Sequence, residues 1–119
     1  MAKMRAENEL AKFFLATVQT GLTLRMLIQN KKVGNKGMFY VGQDGAILAE
    51  MVYTMPSADK MIIEHTEVDD SLAGKGVGKQ LVRTAVEYAR ANNIKIIPLC
   101  PFAKSVFDRV SEWGDVLVK

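Results

Sequence analysis

At 119 residues, with 49% apolar and 24% charged side chains, the chain is long enough for one hydrophobic core and has a globular composition, which excludes disorder as its main state. A net charge of +3, spread along the sequence, suits a small anionic ligand better than a nucleic-acid track. A single cysteine excludes an internal disulfide and points to a reducing compartment, and no apolar run approaches the length of a membrane span.

The N-terminal bases Lys3, Arg5 and Lys12 are interrupted by Glu7 and Glu9, and the apolar stretch Phe13 to Val18 is short, with no small-residue cleavage pattern behind it. The sequence therefore predicts a cytoplasmic protein without a leader. Leu10, Phe13, Phe14, Thr17 and Val18 share one helical face, and Gly21 stands where a helix would stop. An amphipathic helix is expected over Ala6 to Thr20, so residues 1–21 form an extension and 22–119 the main domain. Leu22, Leu24, Met26 and Ile28 alternate with polar residues, the period of a half-buried strand running to Gln29. Asn30 to Lys36 reads as a polar turn.

Two further strands, Gly37 to Val41 and Ala46 to Met55, are joined by a hairpin at Asp44-Gly45, and Met61 to Val68 makes a fourth strand. The period then changes. Leu81, Val82, Ala85, Val86 and Ala89 line one face of a helix from Gly76 to Ala91, Ile94 to Leu99 is a short strand, and Pro101 opens a last helix to Arg109. The expected fold is α/β: a mixed sheet with an antiparallel meander, a β-α-β crossover and a C-terminal helix.

Between the fourth strand and the long helix stands Gly74-Lys75-Gly76-Val77-Gly78-Lys79. Backbone N–H groups of such a loop converge beside a helix N-terminus and attract an anion. A Walker A loop would need glycine at 73 and a hydroxyl at 80, where Ala73 and Gln80 stand, and a dinucleotide fingerprint would need glycine at 79. Gly76 and Gly78 match a third pattern, Gln/Arg-x-x-Gly-x-Gly/Ala, with Ala73 in its first place.

The segment EHTEVDDSLAGKGVGKQLVRTAVEYARANNIKIIPLCPF, Glu64 to Phe102, resembles the GNAT N-acetyltransferase superfamily, in particular a small single-domain branch with His-Thr-Glu-Val and Pro-Leu-Cys-Pro motifs. The resemblance extends loosely back to Leu27. It implies that acetyl-CoA is the cosubstrate and that Gly74, Lys75, Gly76, Val77, Gly78 and Lys79 hold the pyrophosphate of coenzyme A. It also implies that the strand His65 to Val68, including Thr66 and Val68, bonds the pantetheine arm and thioester through its backbone. Lys104 is a further candidate for a coenzyme A phosphate, with a solvated lysine as the plainer reading.

His65 and Glu67 alternate with Thr66 and Val68, so both face one side of the sheet and either can take a proton from an amine. The alternatives are a hydrogen-bonded structural histidine and a solvated carboxylate. Cys100 precedes Pro101 as the N-cap of the last helix, where the helix dipole favours thiolate. It either assists direct transfer or carries the acetyl group in a ping-pong reaction; the bland reading is a small apolar filler at a strand end. A metal site is not expected, since one histidine and one cysteine lack spaced partners. Asp69 and Asp70 are read as marking the turn before the loop, and Trp113 as covering the sheet edge.

The resembled superfamily places two helices between its first two strands, for which Gln29 to Gly37 leaves no room, so the acceptor face should be open. The sequence reading is thus an acetyl-CoA-dependent N-acetyltransferase acting on a primary amine of a protein, peptide or small molecule, with no nucleic-acid or membrane partner. Its rival is a coenzyme A or acyl-CoA binding module without catalysis; a partner-binding domain built on the N-terminal helix, or a homodimer through it, is a third.

Overall fold

The computed structural model describes residues 27–118. The predicted helix Ala6 to Thr20, the domain boundary after residue 21 and most of the predicted strand Leu22 to Gln29 lie outside them. The elements in order are β1 (Gln29–Val33), β2 (Lys36–Gln43), β3 (Ala46–Ser57), β4 (Lys60–Val68), α1 (Val77–Asn92), β5 (Lys95–Pro98) and α2 (Pro101–Arg109), with 3₁₀ turns at Asp70–Leu72 and Ser111–Val116. One five-stranded sheet has the order β1-β2-β3-β4-β5, antiparallel up to β4 and parallel from β4 to β5.

The first described strand corrects the reading of Asn30 to Lys36 as turn. Five of these seven residues pair across a hairpin whose tip is only Gly34-Asn35, with Gly34 at a φ of +64°. All five residues of β1 are exposed, so it carries no apolar alternation to read. Backbone pairing with β2 holds it, helped by the buried Tyr53 hydroxyl, which donates to Asn30 Oδ1 at 2.8 Å.

From β2 onward burial follows alternation. Phe39 and Val41 on β2, Ala49, Met51, Tyr53 and Met55 on β3, and Met61 and Ile63 on β4 all turn to one face. Against that face α1 lays Leu81, Val82, Ala85, Val86 and Ala89, none more than 0% exposed. Each larger aliphatic side chain so buried stabilises by about 1.5–3 kcal/mol relative to exposure. The last helix adds Ala103, Val106 and Phe107 to the same core. Asn93, with a φ of +55°, stops α1 in the left-handed conformation, its N–H donating to the Ala89 carbonyl.

Two irregularities shape β4 and its neighbour. Tyr53 pairs with Ile63 and Val52 with His65, so Glu64 is one extra residue, a β-bulge. Lys36 and Thr54 pin its carboxylate, at 2.8 and 2.6 Å, and the bond from Lys36 first, then that from Thr54, holds it below the ordinary carboxylate range. On the other side, β5 pairs with β4 only over Lys60 to Ile63. The Ile63 carbonyl accepts from both Leu99 and Cys100, at 3.0 and 3.1 Å, and beyond it the two strands part, so β5 does not run beside His65 to Val68.

Candidate active site at the parted strands

The glycine loop follows an Asp-capped 3₁₀ turn. The Asp69 carboxylate accepts from the Ser71 N–H at 2.9 Å and marks the turn as expected; bonding from Ser71, its side chain first and then its backbone, lowers the pKa of that carboxyl. Ala73 and Lys75 then return their N–H groups to Asp70 and Leu72. Gly74 and Gly76 take φ values of +78° and +72°, and nothing lies within 4 Å of a Cβ built on either. Backbone conformation alone therefore demands glycine there.

Gly76 is also the N-cap of α1, with no side chain capping the helix. Gln80 is the first residue of the helix to bond back, to the Gly76 carbonyl at 3.1 Å. Among the described residues the N–H groups of Val77, Gly78 and Lys79 have no backbone acceptor, as at any helix start. Three donors at the positive end of a 16-residue helix face the loop, a ready anion site. The N–H of Lys75 is already bonded, so this residue brings only its side-chain charge. Gly78 has a different duty: a Cβ there would meet the Phe102 ring at 2.6 Å, so this glycine lets α1 and α2 approach.

A cleft of about 490 Å³ runs from β4 to this loop. Of the residues named from sequence, Thr66, Val68, Gly74, Gly76, Val77, Gly78 and Lys79 line it. Lys75, Cys100 and Lys104 do not. Lys104 lies 3.6 Å from Asp108 in an exposed pair one helical turn away, while Arg109 and Phe102 of α2 line the cleft instead. Those two residues stand seven apart, on one helical face, which is the signal that would have found them. The cleft fits coenzyme A on physical grounds: unbonded amides and a cation at one end for a diphosphate, and a mostly apolar wall toward β4 for an alkyl arm.

At the parted strands Cys100 is 5% exposed and lies with its sulfur 3.4 Å from Thr66 Oγ1. It is the N-cap of α2, with extended backbone and Pro101 in the first helical position, and its own side chain makes no capping bond. Thr66 pairs with Met51 and thus shares the helix-bearing face of the sheet. His65 and Glu67 pair with Val52 and Glu50 on the opposite face.

There His65 Nε2 lies 3.1 Å from Glu67 Oε2, and one ligand atom each of Glu50, His65 and Glu67 falls within 4.8 Å of the others. The statement that His65 lacks a neighbour of this kind is corrected; Glu50 arrives from β3 through the strand register, which spacing along one strand does not reveal. Glu50 and Glu67 stand directly opposite one another, an arrangement unfavourable to the sheet by a fraction of a kcal/mol to about 1 kcal/mol. Trp113, expected at the sheet edge, belongs to the segment whose Leu117 bridges Ile96 of the edge strand β5. It lies in the 3₁₀ turn after α2 and packs toward α1.

No helix among the described residues is long and apolar enough to cross a membrane. Comparison with curated proteins finds no match to the sequence. Among solved structures, a GCN5-like candidate N-acetyltransferase from Staphylococcus aureus is similar at a TM-score of 0.60 and 42% identity, over 76% of this chain and 87% of its own. The ribosomal-protein-S18-alanine N-acetyltransferase of Escherichia coli shares the fold at a TM-score of 0.54 and 13% identity, over 66% of this chain and 53% of its own. A candidate acetyltransferase from Agrobacterium tumefaciens shares it at 0.52 and 18% identity, over 98% and 76%. The family model for the GCN5-related N-acetyl-transferase matches residues 38–116, from the meander through the glycine loop to the closing turn. Meander, parted strands and uncapped helix thus coincide with one long sequence match, and the chain belongs to the GCN5-related N-acetyltransferase family.

Proposed function

We propose that the protein transfers the acetyl group of acetyl-CoA to a primary amine, with the cosubstrate on the helix-bearing face of the sheet and the acceptor arriving from the opposite face. The observation that carries this reading is the Ile63 carbonyl, shared by Leu99 and Cys100, beyond which β4 keeps β3 on one side and has no further pairing with β5 on the other. His65 to Val68 stay paired with β3 on one side, and the backbone groups that point the other way, toward the gap left by β5, offer donors to a thioester carbonyl; a donor so placed stabilises the oxyanion that forms when the amine attacks. Thr66 and Val68 line the path from there to the free amides of Val77, Gly78 and Lys79.

In this reading the amine nitrogen attacks the thioester carbonyl, the carbon–sulfur bond breaks, and the leaving thiolate takes a proton. His65 or Glu67, on the acceptor side, removes the proton lost by the amine, directly or through water. Two carboxylates kept face to face beside an imidazole, at some loss to the sheet, support a functional rather than a structural role for this group.

For Cys100 the arrangement favours assistance over acetyl transfer through sulfur. Its contact is the Thr66 hydroxyl, and His65 stands on the other face, so no imidazole is placed to activate it as a nucleophile. The thiol then serves as the proton donor to the departing coenzyme A sulfur. The acceptor is an amine exposed enough to reach an open sheet face, such as one on a protein or peptide.

The test is thiol release from acetyl-CoA with amine-bearing peptides, polyamines and water as acceptors. Release that depends on an amine, falls in Cys100→Ala, and leaves no acetyl group on Cys100 supports direct transfer. A burst of thiol with acetylated Cys100 overturns the assignment for that residue. Coenzyme A binding without amine-dependent release reduces the protein to a binding module.

A further inference from the structure

Three strands meet around Glu64 on the bare face of the sheet. Lys36 of β2, Thr54 of β3 and Ile62 of β4 pair in one row, and the Glu64 carboxylate reaches back to that row, accepting from Lys36 Nζ at 2.8 Å and Thr54 Oγ1 at 2.6 Å. His65 lies the other way along the strand, grouped with Glu67 and Glu50. We propose that Glu64 is a positioning residue for the acceptor side: pinned by Lys36 and Thr54, it fixes which residue of β4 bulges and so keeps His65 opposite Val52 and beside Glu67. This rests on the reading of His65 and Glu67 as the proton-accepting side of an acetyl transfer.

The core alone does not choose the bulged residue. Ile63 opposite Tyr53 and Thr66 opposite Met51 both belong to the helix-bearing face, and between them two residues of β4 stand against one of β3, Val52. Val52 can therefore be opposed by His65, with Glu64 extra, or by Glu64, with His65 extra. Both side chains are exposed, so burial separates the two arrangements by little. The ends of the bulge are held in either case: the Ile63 carbonyl accepts from Leu99 and Cys100, and Thr66 touches Cys100.

What separates the two arrangements is the clamp. Two short bonds to an ionised carboxylate draw Glu64 back toward the row of Thr54 and away from a seat opposite Val52. Glu50 and Glu67 repel the same carboxylate from the other end of the face, so attraction and repulsion act in one direction. A bulge moved one residue on would leave Thr66, Val68 and the glycine loop in place and take His65 out of its pairing beside Glu67. The clamp thus bears on the acceptor side and spares the cleft.

Thr54→Val combined with Lys36→Met removes both partners and leaves β4 unaltered. Coenzyme A affinity should stay within about twofold of wild type, while amine-dependent kcat at saturating acetyl-CoA should fall about tenfold or more, the scale of one charge-assisted bond. Nuclear magnetic resonance of the same protein should show the cross-strand proton contacts of Val52 passing from His65 to Glu64, with those between Met51 and Thr66 kept. Thr54→Val alone, a hydroxyl exchanged for a methyl at a strand position that favours valine, should show the same effects in smaller measure. Thr54→Ser combined with Lys36→Arg keeps both donors and should restore kcat and the contacts between Val52 and His65. A clamp that serves stability only would lower the unfolding midpoint and leave kcat per folded molecule as it is. That result, or coenzyme A affinity lost in step with kcat, or Val52 still against His65 in the unpinned protein, overturns the role of Glu64 while the transfer reading stands. A wild type that releases no thiol with any amine overturns the transfer reading and this assignment with it.

Discussion

Replacing Gly78 by alanine separates the two duties carried by the glycine loop. The new Cβ would lie 2.6 Å from Phe102 Cζ and 2.9 Å from Cε2, against a normal carbon contact of about 3.5–4.0 Å, so the ring must move by about 1 Å. Phe102 is 39% exposed and offers the far end of its side chain, so it swings aside at about 0.5–1.5 kcal/mol. Alanine in a helix returns about 0.5–1 kcal/mol relative to glycine. The two nearly cancel, and the unfolding midpoint should stay within about 4 °C of wild type, since 1 kcal/mol corresponds to about 4 °C at this length. Phe102 lines the cleft, so the displaced ring should obstruct it and coenzyme A affinity should fall about tenfold. Thermal scans and calorimetric titration of the same preparation read both effects. A midpoint lowered by 10 °C, or an unchanged affinity, refutes the packing argument. Gly76→Ala is the contrast: with open space around its Cβ and a φ of +72°, the whole penalty is conformational, about 1–2 kcal/mol, and the midpoint should drop by about 4–8 °C.

Other substitutions test other parts of the molecule. Tyr53→Phe removes the donor to Asn30 and should lower stability by about 1 kcal/mol, with faster amide exchange confined to β1. Glu67→Gln relieves the opposition with Glu50, so it should raise stability by a few tenths of a kcal/mol while lowering amine-dependent turnover by about 10²-fold; a loss of stability or an unaltered rate contradicts the reading. The bond from Arg90 holds the Asp115 carboxyl below its ordinary value of 3.8, so the stability it contributes is complete above that value and is lost as pH falls through the lower folded one. Between pH 4.5 and 2.5 the midpoint of Asp115→Asn should accordingly decline less steeply than that of wild type.

How much of this was legible in the sequence depends on how local each feature is. Strands β2 to β4 and both helices lie within two residues of where alternation and helical period put them, because each buries one face and leaves the other wet. Edge strand β1 was missed for the converse reason: Lys31 and Lys32 face solvent on either side, and only pairing with β2 defines the strand. Gly74 and Gly76 declared themselves by spacing, whereas the packing role of Gly78 depends on Phe102, 24 positions away. Glu50 belongs with His65 and Glu67 only once the register of β3 on β4 is known. Lys104 was chosen for its charge, and Arg109 occupies the cleft because it lies on the face of α2 that carries Phe102.

The bulge at Glu64 is the least legible feature and the one on which the division of labour rests. Met61 and Ile63 point to the core, and strict alternation from there would send His65 and Glu67 the same way, leaving Thr66 on the bare face. One extra residue reverses every later side chain. Thr66 thereby reaches Cys100 and the cleft, while His65 and Glu67 come out beside Glu50 on the other side. Because β5 leaves β4 at the same point, the reversed segment is reachable from both faces, as the proposed transfer from a thioester on one side to an amine on the other requires. Lys36 and Thr54 hold the extra residue in place from two different strands, so the separation of the two sides is fixed by the sheet and needs no movement of a loop.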